Sequence, residues 1–153
     1  YRIKTPSRMG VGFAYVLKKI GIFAVDYEAS NYAKANISSS DVGTFDGVNA
    51  VIANKYKLGH FIKAGAEFNL NPYFIRLGYN VLSNPLTGNF TGKFTRHCPS
   101  IGLGVRFKEN MSIDFYIMQA YYSDDYYLFN TLNVNTTIKT TQTQIGSTLS
   151  IKF

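Results

Sequence analysis

KLGHFIKAGAEFNLNPYFIRLGYNV, residues 57–81, decides the fold. From Lys55 to Phe68 the even positions Tyr56, Leu58, Ile62, Ala64, Ala66 and Phe68 are apolar, while Lys55, Lys57, Gly59, Lys63, Gly65 and Glu67 occupy odd ones. Helical spacing would scatter those lysines around a surface; a period of two collects them on one face of a strand. Beyond Asn69 to Pro72 a second run sets Tyr73, Ile75, Leu77, Tyr79 and Val81 against Phe74, Arg76, Gly78 and Asn80. Pro72 stands where that strand begins, the position at which a missing N–H is tolerated.

The same two-faced pattern recurs on both sides of this hairpin. Met9, Val11, Phe13, Tyr15 and Leu17 alternate with Arg8, Gly10, Gly12, Ala14 and Val16, and Phe23, Val25, Tyr27 and Ala29 alternate with Ala24, Asp26, Glu28 and Ser30. Downstream, Ile101, Leu103, Val105 and Phe107 oppose Ser100, Gly102, Gly104 and Arg106. Met111, Ile113, Phe115, Ile117 and Tyr121 oppose Ser112, Asp114, Tyr116, Met118, Ala120 and Tyr122. A last strand, from about Lys139 to Phe153, turns Ile145, Leu149, Ile151 and Phe153 one way and Gln142, Gln144, Gly146, Thr148, Ser150 and Lys152 the other. The pattern predicts an all-β chain of seven strands.

Their connections alternate between short and long. Lys18-Lys19, Asn69 to Pro72 and Lys108 to Asn110 are tight turns; Asn31 to Asn54, Ser83 to Arg96 and Ser123 to Ile138 are long polar connections. Outer-membrane β-barrels have this asymmetry, with short periplasmic turns and long outer loops. Composition agrees: 46% of residues are apolar and 16% aromatic, with 12 Tyr, 12 Phe and no Trp, and only 16% are charged against roughly 25% in soluble domains. No apolar stretch is long enough for a membrane-spanning helix. A barrel needs none, because only alternate residues meet lipid.

Seven strands would put the N-terminus outside, whereas single-chain bacterial barrels have an even number and periplasmic termini. Residues 1–153 are therefore expected to be the C-terminal portion of one barrel domain, its N-terminal portion lying outside this chain. Tyr1 to Pro6 show no signal peptide. Open edges are costly in lipid, so the remaining barrel segment is an expected partner.

Four stretches carry a family resemblance: TPSRMGVGFAYVL with IGIFAVDYEASNY; the opening quotation with its Gly65, Glu67, Arg76, Gly78 and Tyr79; SIGLGVRFKENMSIDFYIMQAYY with Gly102, Gly104 and Asp114; and the terminal STLSIKF. In order and spacing, across about two-thirds of the chain, they resemble the C-terminal half of the FadL/TodX outer-membrane transport proteins. The resemblance implies an antiparallel transmembrane β-barrel, here seven C-terminal strands of fourteen, that takes up hydrophobic small molecules such as long-chain fatty acids or hydrocarbons. It implies a cell outer membrane location, with the C-terminus periplasmic and the long loops extracellular. The family's hatch and lateral exit belong to the other half, so no pocket residue transfers. Leu149, Ile151 and Phe153 resemble the terminal signal read by the barrel-insertion machinery.

Arg8, Asp26, Glu28, Lys63, Glu67, Arg76, Arg106 and Asp114 all fall on the expected lumen face, where charge is tolerated far better than on a lipid face. An ion-pair network is favoured for them over a contact with ligand or plug. Counting back through the turns sets Arg76 near Gly65, within reach of Lys63 or Glu67, and Asp114 close to Gly104 and Arg106.

The formal charge of +7 is spread along the strands and points to lipopolysaccharide phosphate at the outer rim, or merely to a solvated lumen, before nucleic acid. Tyr121, Tyr122, Tyr126 and Tyr127 are expected in an interfacial aromatic girdle. His60 and His97 fall on the outward face, with His97 and Cys98 pointing opposite ways, and neither CxxC nor HExxH spacing occurs. No enzyme, cofactor or metal site is expected. Two other readings compete with uptake: a non-transporting subunit or scaffold in an outer-membrane protein assembly or secretion complex, and a soluble β-sandwich whose apolar faces pack on another sheet.

Overall fold

The computed structural model describes residues 1–18, 20–41, 43–87, 95–108, 110–127 and 135–152. In chain order they form β1 (Arg2–Lys4), β2 (Arg8–Leu17), β3 (Gly21–Asn31), a 3-10 turn (Tyr32–Lys34), β4 (Asn36–Ser38), α1 (Asp46–Lys55), β5 (Leu58–Leu70), β6 (Tyr73–Leu82), β7 (Arg96–Lys108), β8 (Met111–Tyr127) and β9 (Asn135–Ile151). Seven of the strands make one antiparallel sheet in the order β2-β3-β5-β6-β7-β8-β9, and β1 pairs with β4 in a two-stranded ribbon. The large sheet is thus a plain meander: each strand lies beside its sequence neighbour once the excursion between β3 and β5 is set aside.

Alternation gives the sheet its two faces, and the register aligns them from strand to strand. Tyr27, Ile62, Val81, His97, Tyr121 and Thr141 succeed one another across one face; Ile22, Glu67, Arg76, Gly102, Tyr116 and Gly146 do so across the other. The apolar face is bare. Met9, Val11, Phe13, Leu103 and Ile145 are all more than half exposed, and among the described residues only Phe74 and Ala120 form a buried apolar set. Both of these, with buried Ser30, Gly59, Gly102 and Gly104, belong to the polar face. Among the described residues no helix is long and apolar enough to cross a membrane.

The Asn69 to Pro72 register differs from its expected value by two residues. Gly65 pairs with Gly78, and Arg76 pairs with Glu67, because the turn is two residues, Asn71 and Pro72, between strands that run to Leu70 and from Tyr73. Asp114 does pair with Gly104, whereas Arg106 pairs with Ser112.

The connection 31–54, expected as a polar loop, carries structure of its own. Asp46 in the first turn and Lys55 in the last match the dipole of α1. Asn49 on this helix donates from Nδ2 to the Ile37 carbonyl and accepts the Ile37 N–H on Oδ1, each at 2.9 Å, so one side-chain amide replaces a missing strand for β4. Tyr56 bridges Leu86, and the Lys57 and Thr87 N–H groups donate to the Pro85 and Lys55 carbonyls. Lys55 and Lys57, read as strand, therefore belong to this cap, and β5 starts at Leu58. Asn49→Ala removes both bonds to Ile37 and should loosen the cap by about 1–2 kcal/mol without moving the large sheet. Hydrogen exchange checks this: the Ile37 amide should exchange faster and those of β6 unchanged.

Candidate functional site

Strands β5, β6 and β8 each contribute one charged side chain to a cluster on the polar face. Arg76 donates from Nε to Glu67 Oε2 at 2.6 Å, across the β5–β6 ladder, and from Nη1 to Asp114 Oδ1 on β8. The second bond passes over an intervening strand and two residues along it, so its two Cα atoms stand about 12 Å apart. It closes because β7 presents Gly102 and Gly104 beneath it. A Cβ on Gly104 would collide with Asp114 Oδ1 at 2.3 Å and stand 3.4 Å from Arg76 Nη1; one on Gly102 would touch Arg76 Cβ at 3.5 Å. The glycines of GLG thus hold open the path of an ion pair.

On the next strand Gly146 serves the Tyr116 ring in the same way, since an added Cβ there would lie 2.4 Å from Cε1, and Gln144 donates to the Tyr116 hydroxyl at 3.2 Å. Arg76, Gly78, Ser100, Gly102, Asp114 and Tyr116 line a concavity of about 520 Å³. Its polar wall carries the Arg76 guanidinium and the Asp114 carboxylate. With side-chain exposures of 42%, 33% and 26%, Arg76, Glu67 and Asp114 remain partly solvated, so each pair stabilises modestly and the larger effect is to cross-link three strands.

The other expected charges share this face but not this cluster. Arg8 Nε meets Glu28 Oε1 at 3.3 Å near the far end of β2. Asp26 and Lys63 stand opposite each other in register, yet the Lys63 ammonium lies 4.4 Å over the Phe61 ring and the Asp26 carboxylate leans over Gly12. Arg106 lies over Phe74, 4.7 Å from its centroid. Leu149 and Ile151 pair with Ile113 and Met111 on the apolar face; Phe153 lies outside the described residues.

Family models, curated proteins and solved structures yielded no match.

Two side-chain pairs escaped the sequence reading. Tyr27 hydroxyl bonds His60 Nδ1 at 2.7 Å, and Tyr79 hydroxyl bonds His97 Nδ1 at 2.8 Å, both on the apolar face and both at the end remote from the tight turns. Alternation had put all four residues outward; the diagonal step that makes them partners follows from register alone. Arg96, also missed, stacks over Tyr122 at 5.6 Å. Tyr122 therefore belongs to the polar face, where alternation had set it opposite Tyr121, and it stands apart from the outward girdle in which it was also expected. Strand alternation separates the two.

A double-mutant cycle on Arg76→Met and Asp114→Asn should give a coupling of about 0.5–1 kcal/mol, the range for a partly exposed pair. Gly104→Ala should erase most of that coupling by displacing the carboxylate, which denaturant titration of the four variants in each background would register.

Proposed function

We propose that the seven-strand sheet is part of the wall of an outer-membrane β-barrel, and that the complete barrel admits hydrophobic small molecules, fatty acids or hydrocarbons among them. The observation that carries the membrane reading is the bare apolar face set against a polar face bearing all the expected charges. In water such a face would be covered; in a bilayer, lipid covers it.

The dimensions support it. Tyr73 to Val81, apolar at every second position, rises about 27 Å along β6, and a tilt of about 40° leaves a height near 21 Å, a residue or two short of the roughly 25 Å apolar band of these barrels. Among the described strand residues every buried one except Gly21 lies on the polar face, as a sheet curling toward that face produces. The edge strands β2 and β9 run in the same direction, because an even number of antiparallel steps separates them. An all-antiparallel closure therefore takes an odd number of further strands, and seven would complete the fourteen of the family the sequence resembles. That resemblance is also what directs the reading toward apolar cargo.

The full protein, isolated from outer membranes, should change its gel mobility on boiling, and cells producing it should take up a radiolabelled alkane or fatty acid faster than cells lacking it. Heat-modifiable mobility without uptake would point to the scaffold reading. Free solubility with unchanged mobility would remove the barrel.

A further inference from the structure

Among the described residues, the apolar face carries a polar concavity. At the end of the sheet remote from the tight turns, Thr95, His97, Tyr121, Ser123, Lys139 and Thr141 line a hollow of about 510 Å³. All six occupy odd positions on β7, β8, β9 and the approach to β7, so alternation turns them to the same side as Ile101, Ile117 and Ile145. Register packs them tightly: Tyr121 pairs with both His97 and Thr141, and Ser123 pairs with Lys139.

The chemistry of this hollow is that of an anion site. One ammonium, one imidazole and the hydroxyls of Thr95, Ser123 and Thr141 line it, each able to donate, while the Tyr121 hydroxyl gives its proton to Gln119. The Tyr79 hydroxyl occupies His97 Nδ1 and fixes the ring, so Nε2 is the nitrogen available to a ligand. Gln119 accepts from the Tyr121 hydroxyl and donates to Thr143 Oγ1 at 3.4 Å, which extends the polar strip one row further along β8 and β9. Asp125 pairs with Thr137 in the backbone register, two residues along β8 from Ser123.

Below the strip the face turns abruptly apolar, with Ile117 paired to both Ile101 and Ile145. A ligand that fits both parts has a phosphorylated, hydroxyl-rich head and an acyl tail. Free phosphate matches only the upper part. Resting on the barrel reading, we propose that this hollow binds the phosphorylated saccharide headgroup of an outer-leaflet glycolipid, its acyl chains lying over Ile117 and Ile145. His97 and Lys139 would take the phosphate, and the hydroxyls of Thr95, Ser123 and Thr141 the sugar.

Native mass spectrometry of the full, delipidated protein tests it with three probes: bisphosphorylated lipid A, the same lipid A after dephosphorylation, and inorganic phosphate. The expected result is retention of bisphosphorylated lipid A, binding of the dephosphorylated form about tenfold weaker, and no retained inorganic phosphate. His97→Ala combined with Lys139→Ala should lower retention of the phosphorylated lipid about tenfold or more, while Lys34→Ala, elsewhere at the same end, leaves it unchanged. Equal binding of the two lipids, wild-type retention by the double variant, or retention of inorganic phosphate alone would each overturn the proposal. Heat-modifiable mobility of the same samples tells a failed headgroup site from a failed barrel, since only the latter abolishes the shift.

Discussion

Ile101→Arg should cost roughly 2–4 kcal/mol, a thirty- to thousand-fold loss in the folding equilibrium, when the protein is refolded into lipid vesicles. Ile101 sits midway along the apolar face of β7, four residues from His97 and four from Val105, and its partners Leu77 and Ile117 are apolar too. A guanidinium at that depth loses its water and gains no counter-charge. The matched control is Gln144→Arg, at nearly the same depth on the polar face of β9, where Met118 is its partner. That variant loses only the weak bond to Tyr116 and should stay within about 1 kcal/mol of the parent. A sheet whose apolar face meets water would tolerate both substitutions alike, within about 0.5 kcal/mol.

Gly21→Ala should be the most damaging single methyl group in the large sheet. At this first position of β3 an added Cβ would lie 1.9 Å from the Glu67 carbonyl oxygen and 2.9 Å from its carbon. Both obstacles are backbone, so no rotamer change relieves them and the β3–β5 ladder must open where Asn69 N–H donates to the Ile20 carbonyl at 2.7 Å. Overpacking of this kind costs about 3 kcal/mol. Gly47→Ala provides the contrast: nothing lies within 4 Å of its added Cβ, and early in α1 the change should stabilise the helix by about 0.5–1 kcal/mol. Denaturant midpoints of the two variants should therefore move in opposite directions.

The sheet was legible because two-faced strands announce themselves. All seven strands were found, since most keep period two over eight or more residues and the tight turns leave little freedom of register, but residues 123–127 and 135–138, read as connection, extend β8 and β9. The cap was not legible. VNAVIANK has neither an amphipathic stripe nor a capping residue, as Phe45 stands at the N-cap, and β1 and β4 are three residues each. What holds them is tertiary: the Asn49 clamp on Ile37 and the contacts of 83–87 with 54–57.

The charged cluster was half legible. Alternation put Glu67, Arg76 and Asp114 on one face, and hairpin counting brought Arg76 within reach of Glu67. The bond from Arg76 to Asp114 skips a strand, and pairing rules for adjacent strands contain no such contact. Its only trace in the sequence is the pair of glycines, Gly102 and Gly104, whose missing side chains leave the gap. The same holds for the Tyr–His pairs, each residue placed correctly and the diagonal partner left to the register.

Spin labels placed singly at residues 113 to 118 of β8, in the full protein reconstituted into bilayers, test the central claim most directly. Labels at 113, 115 and 117 should relax strongly with oxygen and weakly with a water-soluble nickel chelate, while those at 114, 116 and 118 show the reverse, a period of two with lipid on one side and water on the other. Chelate access at all six positions, or no alternation between them, would contradict a membrane-spanning wall.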